Sequence, residues 1–422
     1  MSETHLSIET LAKLLAGDLD HEVLLREVVP HLIEVCPVCQ QRHQEIRRLQ
    51  KEFNHWDERV AVFEGLQAPE LFEAIKDLPF DEQLNRVTDD PSYQTWALCQ
   101  LLLRESLEAA FEDAGKAMNL ADLAISIVQH LTDAYDPHWV LDLQARSYAY
   151  LGNARRVLGE LRSAETAFRK AESLLASSMT GDSLIAAEIL HLKCSLRRDQ
   201  RRLDEALELA AQALSLYEEH EDLHGVGVVL LKKAKILEEH GQLNAAISVL
   251  RDAIARLNIS DETELGLYAR HNLTLCLSWA GQYEEAERLF SEIRADFERW
   301  GKPLDLVRLR WTEGQIACGR EIFEAAEAAF REVQQEFLRR GMGYDAALVS
   351  LDLAIVYAHQ HRLDELKQLA LEIVPVFESR DVHREAIAAL VMFQQACQEE
   401  RLTAELARHL SGLLQQGSRS KR

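Results

Sequence analysis

The sequence predicts an all-α fold: a solenoid of stacked helical hairpins behind a small three-helix head. Three observations carry it. Of 422 residues only 8 are proline and 18 glycine, while Ala, Leu, Glu and Arg abound, so helix is favoured almost throughout. Small and large residues recur at a spacing of about 40 through the later part of the chain, the signature of a repeat array. Near the N-terminus, one histidine and two cysteines cluster in His31-Leu-Ile-Glu-Val-Cys36-Pro-Val-Cys39.

Residues 1–45 read as three short helices. Ser7 caps the first, which carries Leu11, Leu14 and Leu15 and stops at Gly17. Asp20 caps the second, with Leu24, Leu25, Val28 and Val29 on it, and Pro37 opens the third. So few apolar residues bury too little surface to hold a fold alone. The first residues, Met1-Ser-Glu-Thr-His5, have no signal-peptide pattern. A histidine with a Cys-x-x-Cys pair in such a chain reads as a set of metal ligands, with zinc the natural ion. Structural zinc supplies roughly 10–16 kcal/mol of apparent binding free energy, ample for a module of this size. The other cysteines, Cys99, Cys194, Cys276, Cys318 and Cys397, are scattered singly, as expected for reduced, buried thiols in a cytoplasm.

A helical connector follows over residues 46–92, with Arg47, Arg48 and Lys51, then Phe53 and Trp56, then Pro69 and Pro79. Residues 93–137 form a divergent helical pair whose second helix carries Ala117, Ala121 and Ala124, ended by the break at Asp136-Pro137. The regular array spans 138–380. Small residues recur at Ala164, Ala206, Ala246, Ala286 and Ala326, with Leu366 in register. Three positions earlier stand Leu161, Leu203, Leu243, Tyr283, Phe323 and Leu363; four later, Phe168, Ala210, Leu250, Phe290, Phe330 and Ala370. Twelve earlier stand Gly152, Cys194, Ala234, Thr274, Gly314 and Ala354. Each unit is thus two amphipathic helices in which small residues allow a close approach that large ones fill. Residues 381–416 are expected to cap the last apolar face.

This pattern resembles the tetratricopeptide repeat, as in Leu151-Gly152 through Gly159-Glu160-Leu161 to Ala164, Phe168 and Ala171. The resemblance covers residues 140–378, with a period longer than the usual ~34. The head resembles the zinc-binding anti-sigma domain of bacteria, whose signature is a histidine, a short gap and Cys-x-x-Cys. Here the gap is one residue longer than the commonest form. That resemblance implies His5, His31, Cys36 and Cys39 as ligands, and four filled positions imply a structural site. His21 and His43 stand beside His5 as alternatives for the fourth ligand. It also implies a sigma-holding helix beyond the head, loosely at residues 40–64, although the charged and apolar faces there are equally explained by packing against the first repeat.

In tetratricopeptide arrays the first helix of each pair lines a concave surface. The resemblance therefore implies a groove receiving Arg146, Asn153, Arg156, His191, Arg198, Lys235, His271, Arg308 and Trp311. Such a basic and polar strip, in a chain of net charge -23, would suit an acidic peptide or a carboxylate terminus. Leu348, Leu351 and Ile355 would offer an apolar anchor at the last repeat.

The acidic balance argues against nucleic acid across the surface, and no run of about 18 apolar residues predicts a membrane span. No Gly-rich phosphate loop, nucleophile elbow or His-Glu-x-x-His pair is found, and His220, His224 and His240 are irregularly spaced. The expectation is a cytoplasmic bacterial regulator, not an enzyme, acting by protein recognition. The head's resemblance implies control of transcription by sequestering a sigma factor. The alternative is a general scaffold or adaptor in which zinc only stabilises the N-terminus.

Overall fold

The computed structural model describes residues 58–110, 113–131, 135–260 and 263–378. The head, with His5, His31, Cys36 and Cys39, and the capping segment 381–416 lie outside the described residues. Among the described residues there are sixteen α-helices, one short 3-10 turn and no strand. The chain divides into two compact units at Ile185/Ala186.

The first unit contains α1 (Glu58–Ile75), α2 (Phe80–Asp89), α3 (Trp96–Ala109), α4 (Ala114–His130), α5 (Pro137–Val157) and α6 (Leu161–Ser178). Side-chain caps set its helix starts. Thr95 accepts from Leu98 N–H, Asp113 from Lys116 N–H and Asp136 from His138 N–H, with Pro137 at the first helical position. Ala117, Ala121 and Ala124 are completely buried, and their small size brings the α4 backbone within reach of α3 side chains. Ser106 Oγ donates to the Ala117 carbonyl at 2.7 Å, and Cys99 Sγ to that of Ala124 at 3.5 Å. From α1, the buried Glu64 carboxylate accepts from the Tyr135 hydroxyl at 2.7 Å and from Ala97 N–H at 3.4 Å, so α1 is built into this unit.

The second unit is the regular array. Its hairpins are α7 (Ser183–Asp199) with α8 (Leu203–Glu219), α9 (Leu223–Glu239) with α10 (Leu243–Ser260), and α11 (Thr263–Trp279) with α12 (Tyr283–Trp300). Then come α13 (Pro303–Gly319) with α14 (Phe323–Arg339), and α15 (Gly343–His359) with α16 (Leu363–Glu378). The residues Leu203, Leu243, Tyr283, Phe323 and Leu363, which open the second segment of each repeat, are the first residues of these second helices. First helices are 17 residues long and three-residue turns join them to the second. Residues beyond the usual ~34 per repeat therefore lengthen the helices by nearly a turn each.

One turn geometry recurs. Arg201, Gly241, Gly281, Glu321 and His361 all have φ between 57° and 79°. Beyond each, the next N–H reaches back to the last helical turn: Arg202 to the Arg197 carbonyl, Gln242 to Leu237, Gln282 to Leu277, Ile322 to Ala317 and Arg362 to Tyr357. This is the Schellman closure, which satisfies helix-end carbonyls at the cost of a left-handed residue. Gly159 closes the α5–α6 turn of the first unit in the same way.

Packing within the hairpins follows the small/large pattern residue by residue. Ala164, Ala206, Ala246, Ala286 and Ala326 are all completely buried. A Cβ on Gly152 would lie 2.9 Å from the Phe168 ring, and one on Gly314 would lie 2.6 Å from that of Phe330. Both rings are fully buried, so glycine stands where the facing residue is phenylalanine. Where the facing residue is Ala210 or Leu250, the position is Cys194 or Ala234. Thr274 faces Phe290, the least buried of the three rings at 6%.

Candidate functional site

In the second unit the first helices of successive hairpins meet through a ladder of polar side chains. Lys232, Asn272, Thr312 and Asp352 occupy one register position in α9, α11, α13 and α15. Lys232 and Asp352 each meet two residues, one turn apart, on the preceding first helix, and Thr312 meets one. Lys232 Nζ donates to the His191 carbonyl at 3.1 Å and to Ser195 Oγ at 3.0 Å. Thr312 Oγ1 lies 2.9 Å from His271 Nε2. Asp352 Oδ2 accepts from Trp311 Nε1 at 2.6 Å and from Gln315 Nε2 at 3.0 Å. At Asn272 the rung is not made. Its partner positions hold Leu231, whose side chain has no polar atom, and Lys235, which is ion-paired with Glu238. Among the described residues the Asn272 carboxamide has no hydrogen-bond partner, though it is half-buried.

The electrostatics of this face follow from burial. His191 is held well below the usual imidazole range by desolvation and by the Lys232 and His224 charges; its Nδ1 meets the Tyr217 hydroxyl at 2.9 Å. His271 is pushed down to about 4, first by burial and then by Arg308. Both rings are neutral at pH 7. Burial pushes Asp352 up to about 6 despite its two donors.

The residues expected to form a cationic groove fall into three groups. His191, His271 and Trp311 are rungs of the ladder. Arg198 and Lys235 are already matched by carboxylates, Asp199 at 2.7 Å and Glu238 respectively; Arg308 is 42% exposed and only loosely paired with Asp305, at 3.6 Å. In the first unit, Arg156 Nε and Nη2 donate to Asn153 Oδ1 at 3.1 and 3.0 Å, both residues being buried, and Arg146 is half-buried. Leu348, Leu351 and Ile355 are buried within the apolar cluster around α15, packed rather than presented. In the second unit Arg198 and Lys235 are therefore charge-compensated, while Arg308 is the least so.

Sequence counting named one ladder position (His191, His271, Trp311) and passed over the next residue, where Lys232, Asn272, Thr312 and Asp352 stand. Their signal is four different polar groups in one register position of the repeat. Of the irregular histidines, His240 Nε2 meets Asp204 Oδ1 at 3.2 Å. Among the described residues no group of three or more His, Cys, Asp or Glu is placed to hold a metal, and no helix is long and apolar enough to cross a membrane.

No family model matches the chain, and no curated protein is matched. Solved structures are. Aspartyl phosphate phosphatase F from Bacillus subtilis is 14% identical with a TM-score of 0.52, over 90% of this chain and 96% of that one. The apo form of RapI is 15% identical with a TM-score of 0.52, over 90% and 98%. A Rap protein complexed with competence and sporulation factor is 16% identical with a TM-score of 0.52, over 87% and 99%. At such identities the likeness is one of fold. The chain has a tetratricopeptide-like helical repeat fold.

Proposed function

We propose that this chain is a non-enzymatic regulatory scaffold that binds an extended polypeptide segment along the first-helix face of its second unit. The observation that carries the reading is Asn272, an unmatched carboxamide in the middle of a face whose other polar groups are satisfied. A carboxamide offers a donor and an acceptor together, which is what a peptide unit in an extended segment requires. Acidic side chains gain less here, because the nearby cations already have carboxylates; Arg308, the most exposed, is where a ligand carboxylate fits best. One of the solved structures of the same fold is itself a complex with a named factor, which is compatible with a ligand on such an array.

The finer reading adds the head: zinc held by His5, His31, Cys36 and Cys39, and a sigma factor as the partner. It rests on the sequence resemblance of residues 1–45, and the array supports a general scaffold equally. Affinity capture with the full chain separates them. A deletion for that purpose should stop at residue 57, because Glu64 and α1 belong to the first unit. A sigma factor captured by the full chain and lost on deleting residues 1–57 supports the anti-sigma reading; a partner retained by the shortened chain supports the scaffold. Asn272→Ala should weaken capture about tenfold, the loss of about one hydrogen bond, with the helical circular dichroism unchanged. Full binding by an Asn272→Ala/Arg308→Ala double variant would remove this face as the site.

A further inference from the structure

The joint between the α9–α10 and α11–α12 hairpins is loosely made on both of its sides. On the first-helix side the rung at Asn272 is missing, whereas the α7–α9, α11–α13 and α13–α15 joints are bonded through Lys232, Thr312 and Asp352. On the opposite side a cleft of about 450 Å³ opens between α10 and α12, with Ile254, Leu273 and Leu289 among its walls. Arg251 and Glu285, 2.8 Å apart, span it, but their side chains are 52% and 35% exposed, so water screens the pair. The corresponding side of the α13–α15 joint is held more firmly. There Glu327 accepts from both Arg331 and Arg362, and Arg362 stacks over the Tyr357 ring, 4.4 Å from its centroid.

A third observation falls at the same place. Gly266, in the first turns of α11, is buried, yet a Cβ there would meet nothing within 4 Å among the described residues. Contrast Gly225 and Gly227 in α9, where a Cβ would strike Tyr217 at 2.4 Å and Leu257 at 2.3 Å. Glycine at 266 is not required by a neighbour. It leaves α11 with extra backbone freedom there.

We propose that this joint is the flexure point of the second unit, and that a hydrogen-bonding group brought to Asn272 by a bound polypeptide closes it. Rotation at the other joints must break half-buried side-chain hydrogen bonds as well as shear apolar packing. Rotation here shears the apolar cluster of Leu237, Leu250, Leu273 and Leu277, stretches one solvent-screened ion pair and breaks no such rung. A group bonded to Asn272 and to the α9 side restores the missing rung, so ligand binding and joint closure are coupled and reinforce one another. The closure half rests on the polypeptide reading given above. The flexure half does not, and the two fail separately.

The test is a distance measurement on the full chain, with nitroxides attached through keto amino acids so that the native cysteines are undisturbed. Asn244, Glu284 and Glu324 are exposed and occupy one register position in α10, α12 and α14. Pulsed dipolar spectroscopy on the 244/284 pair should give a distance distribution at least twice as broad as on the 284/324 pair. The chain can supply its own bonding group: Leu231→His with Asn272→Thr copies the His271–Thr312 rung, and Leu231→Trp with Asn272→Asp copies the Trp311–Asp352 rung. Either graft, if helical content is retained, should narrow the 244/284 distribution and leave 284/324 unchanged. Equal widths for the two pairs in the unmodified chain would overturn the flexure point. A broad 244/284 distribution that neither folded graft narrows would overturn closure through Asn272. Failure of the chain to bind any polypeptide would refute the proposed function and leave the flexure result standing.

Discussion

Replacing Gly314 by alanine tests the packing rule of the array most directly. An added Cβ would sit 2.6 Å from one Phe330 ring carbon, 2.8 Å from a second and 3.1 Å from the Ala329 Cβ. Comfortable carbon–carbon contact is ~3.5–4.0 Å, so the ring must move by about 1 Å. It is completely buried within the α13–α16 core, and no soft side chain yields to it. Overpacking of this kind costs roughly 1–3 kcal/mol. Alanine's better helix propensity returns about 1 kcal/mol, leaving a net loss of ~0–2 kcal/mol. Gly266→Ala is the control, since nothing among the described residues lies within 4 Å of its Cβ; it should gain about 1 kcal/mol from propensity alone. Phe330→Leu should destabilise by itself through lost burial, by roughly 1–2 kcal/mol. In the Gly314→Ala/Phe330→Leu double variant the two losses should be less than additive, with a favourable coupling of about 1 kcal/mol. Urea denaturation followed by circular dichroism, with amide exchange to localise the effect in this repeat, gives the four numbers. If Gly314→Ala is as stabilising as Gly266→Ala, or the double variant is strictly additive, glycine at 314 is not explained by the Phe330 ring.

Three further outcomes are expected. Glu321 holds the left-handed turn position at φ 61° that Gly241 and Gly281 fill with glycine, so Glu321→Gly should stabilise by up to about 1 kcal/mol and Gly281→Ala should lose a similar amount; a drop in denaturation midpoint for Glu321→Gly refutes the turn argument. Asp352 is pushed up by burial from 3.8 to about 6, so the folded state binds its proton more tightly than the unfolded chain does. The associated stability is fully present below about pH 3.8 and is lost as pH rises through 6, by at most ~3 kcal/mol. Asp352→Asn, which keeps an acceptor oxygen and carries no charge, should therefore gain on the native protein steadily from pH 4 to pH 7; parallel stability curves would show that Asp352 titrates normally. Metal analysis of the freshly reduced full chain should find one zinc, lost in Cys36→Ser/Cys39→Ser, and a zinc-supplemented sample that binds none would remove the metal reading of the head.

The helices were legible in the sequence because close packing of hairpins forces a period on it. The residues that must be small at the crossing (Ala206, Ala246, Ala286, Ala326) and those that open the second helices (Leu203, Leu243, Tyr283, Phe323) repeat in register, and each is where the count puts it. The turns were half legible. Gly241 and Gly281 announce a left-handed residue, but Arg201, Glu321 and His361 adopt the same conformation without any local signal, since the closing hydrogen bonds come from helix ends. The polar face was the least legible. Charge counting along it registers Arg198 and Lys235 as cations and cannot register that Asp199 and Glu238 pair with them, because pairing depends on side-chain direction rather than on spacing.

Packing rewards periodicity, so a position that departs from its register is under some other constraint, or under none. The ladder position reads Lys232, Asn272, Thr312, Asp352, and three of these four are accounted for by the residue each bonds on the preceding helix. A basic group meets a carbonyl and a hydroxyl, a hydroxyl meets a neutral imidazole, and a carboxylate meets an indole and an amide. On the other side Leu231 differs, placing an aliphatic side chain where His271 and Trp311 place one that bonds the next helix; at His191 the rung uses the backbone carbonyl instead. A half-buried carboxamide without a partner forgoes about 1 kcal/mol relative to a bonded one, and an apolar residue at 272 facing Leu231 would avoid that loss. A group brought from outside the array, as proposed above, would give Asn272 its rung, and that rung would lie at the joint bordered by the cleft.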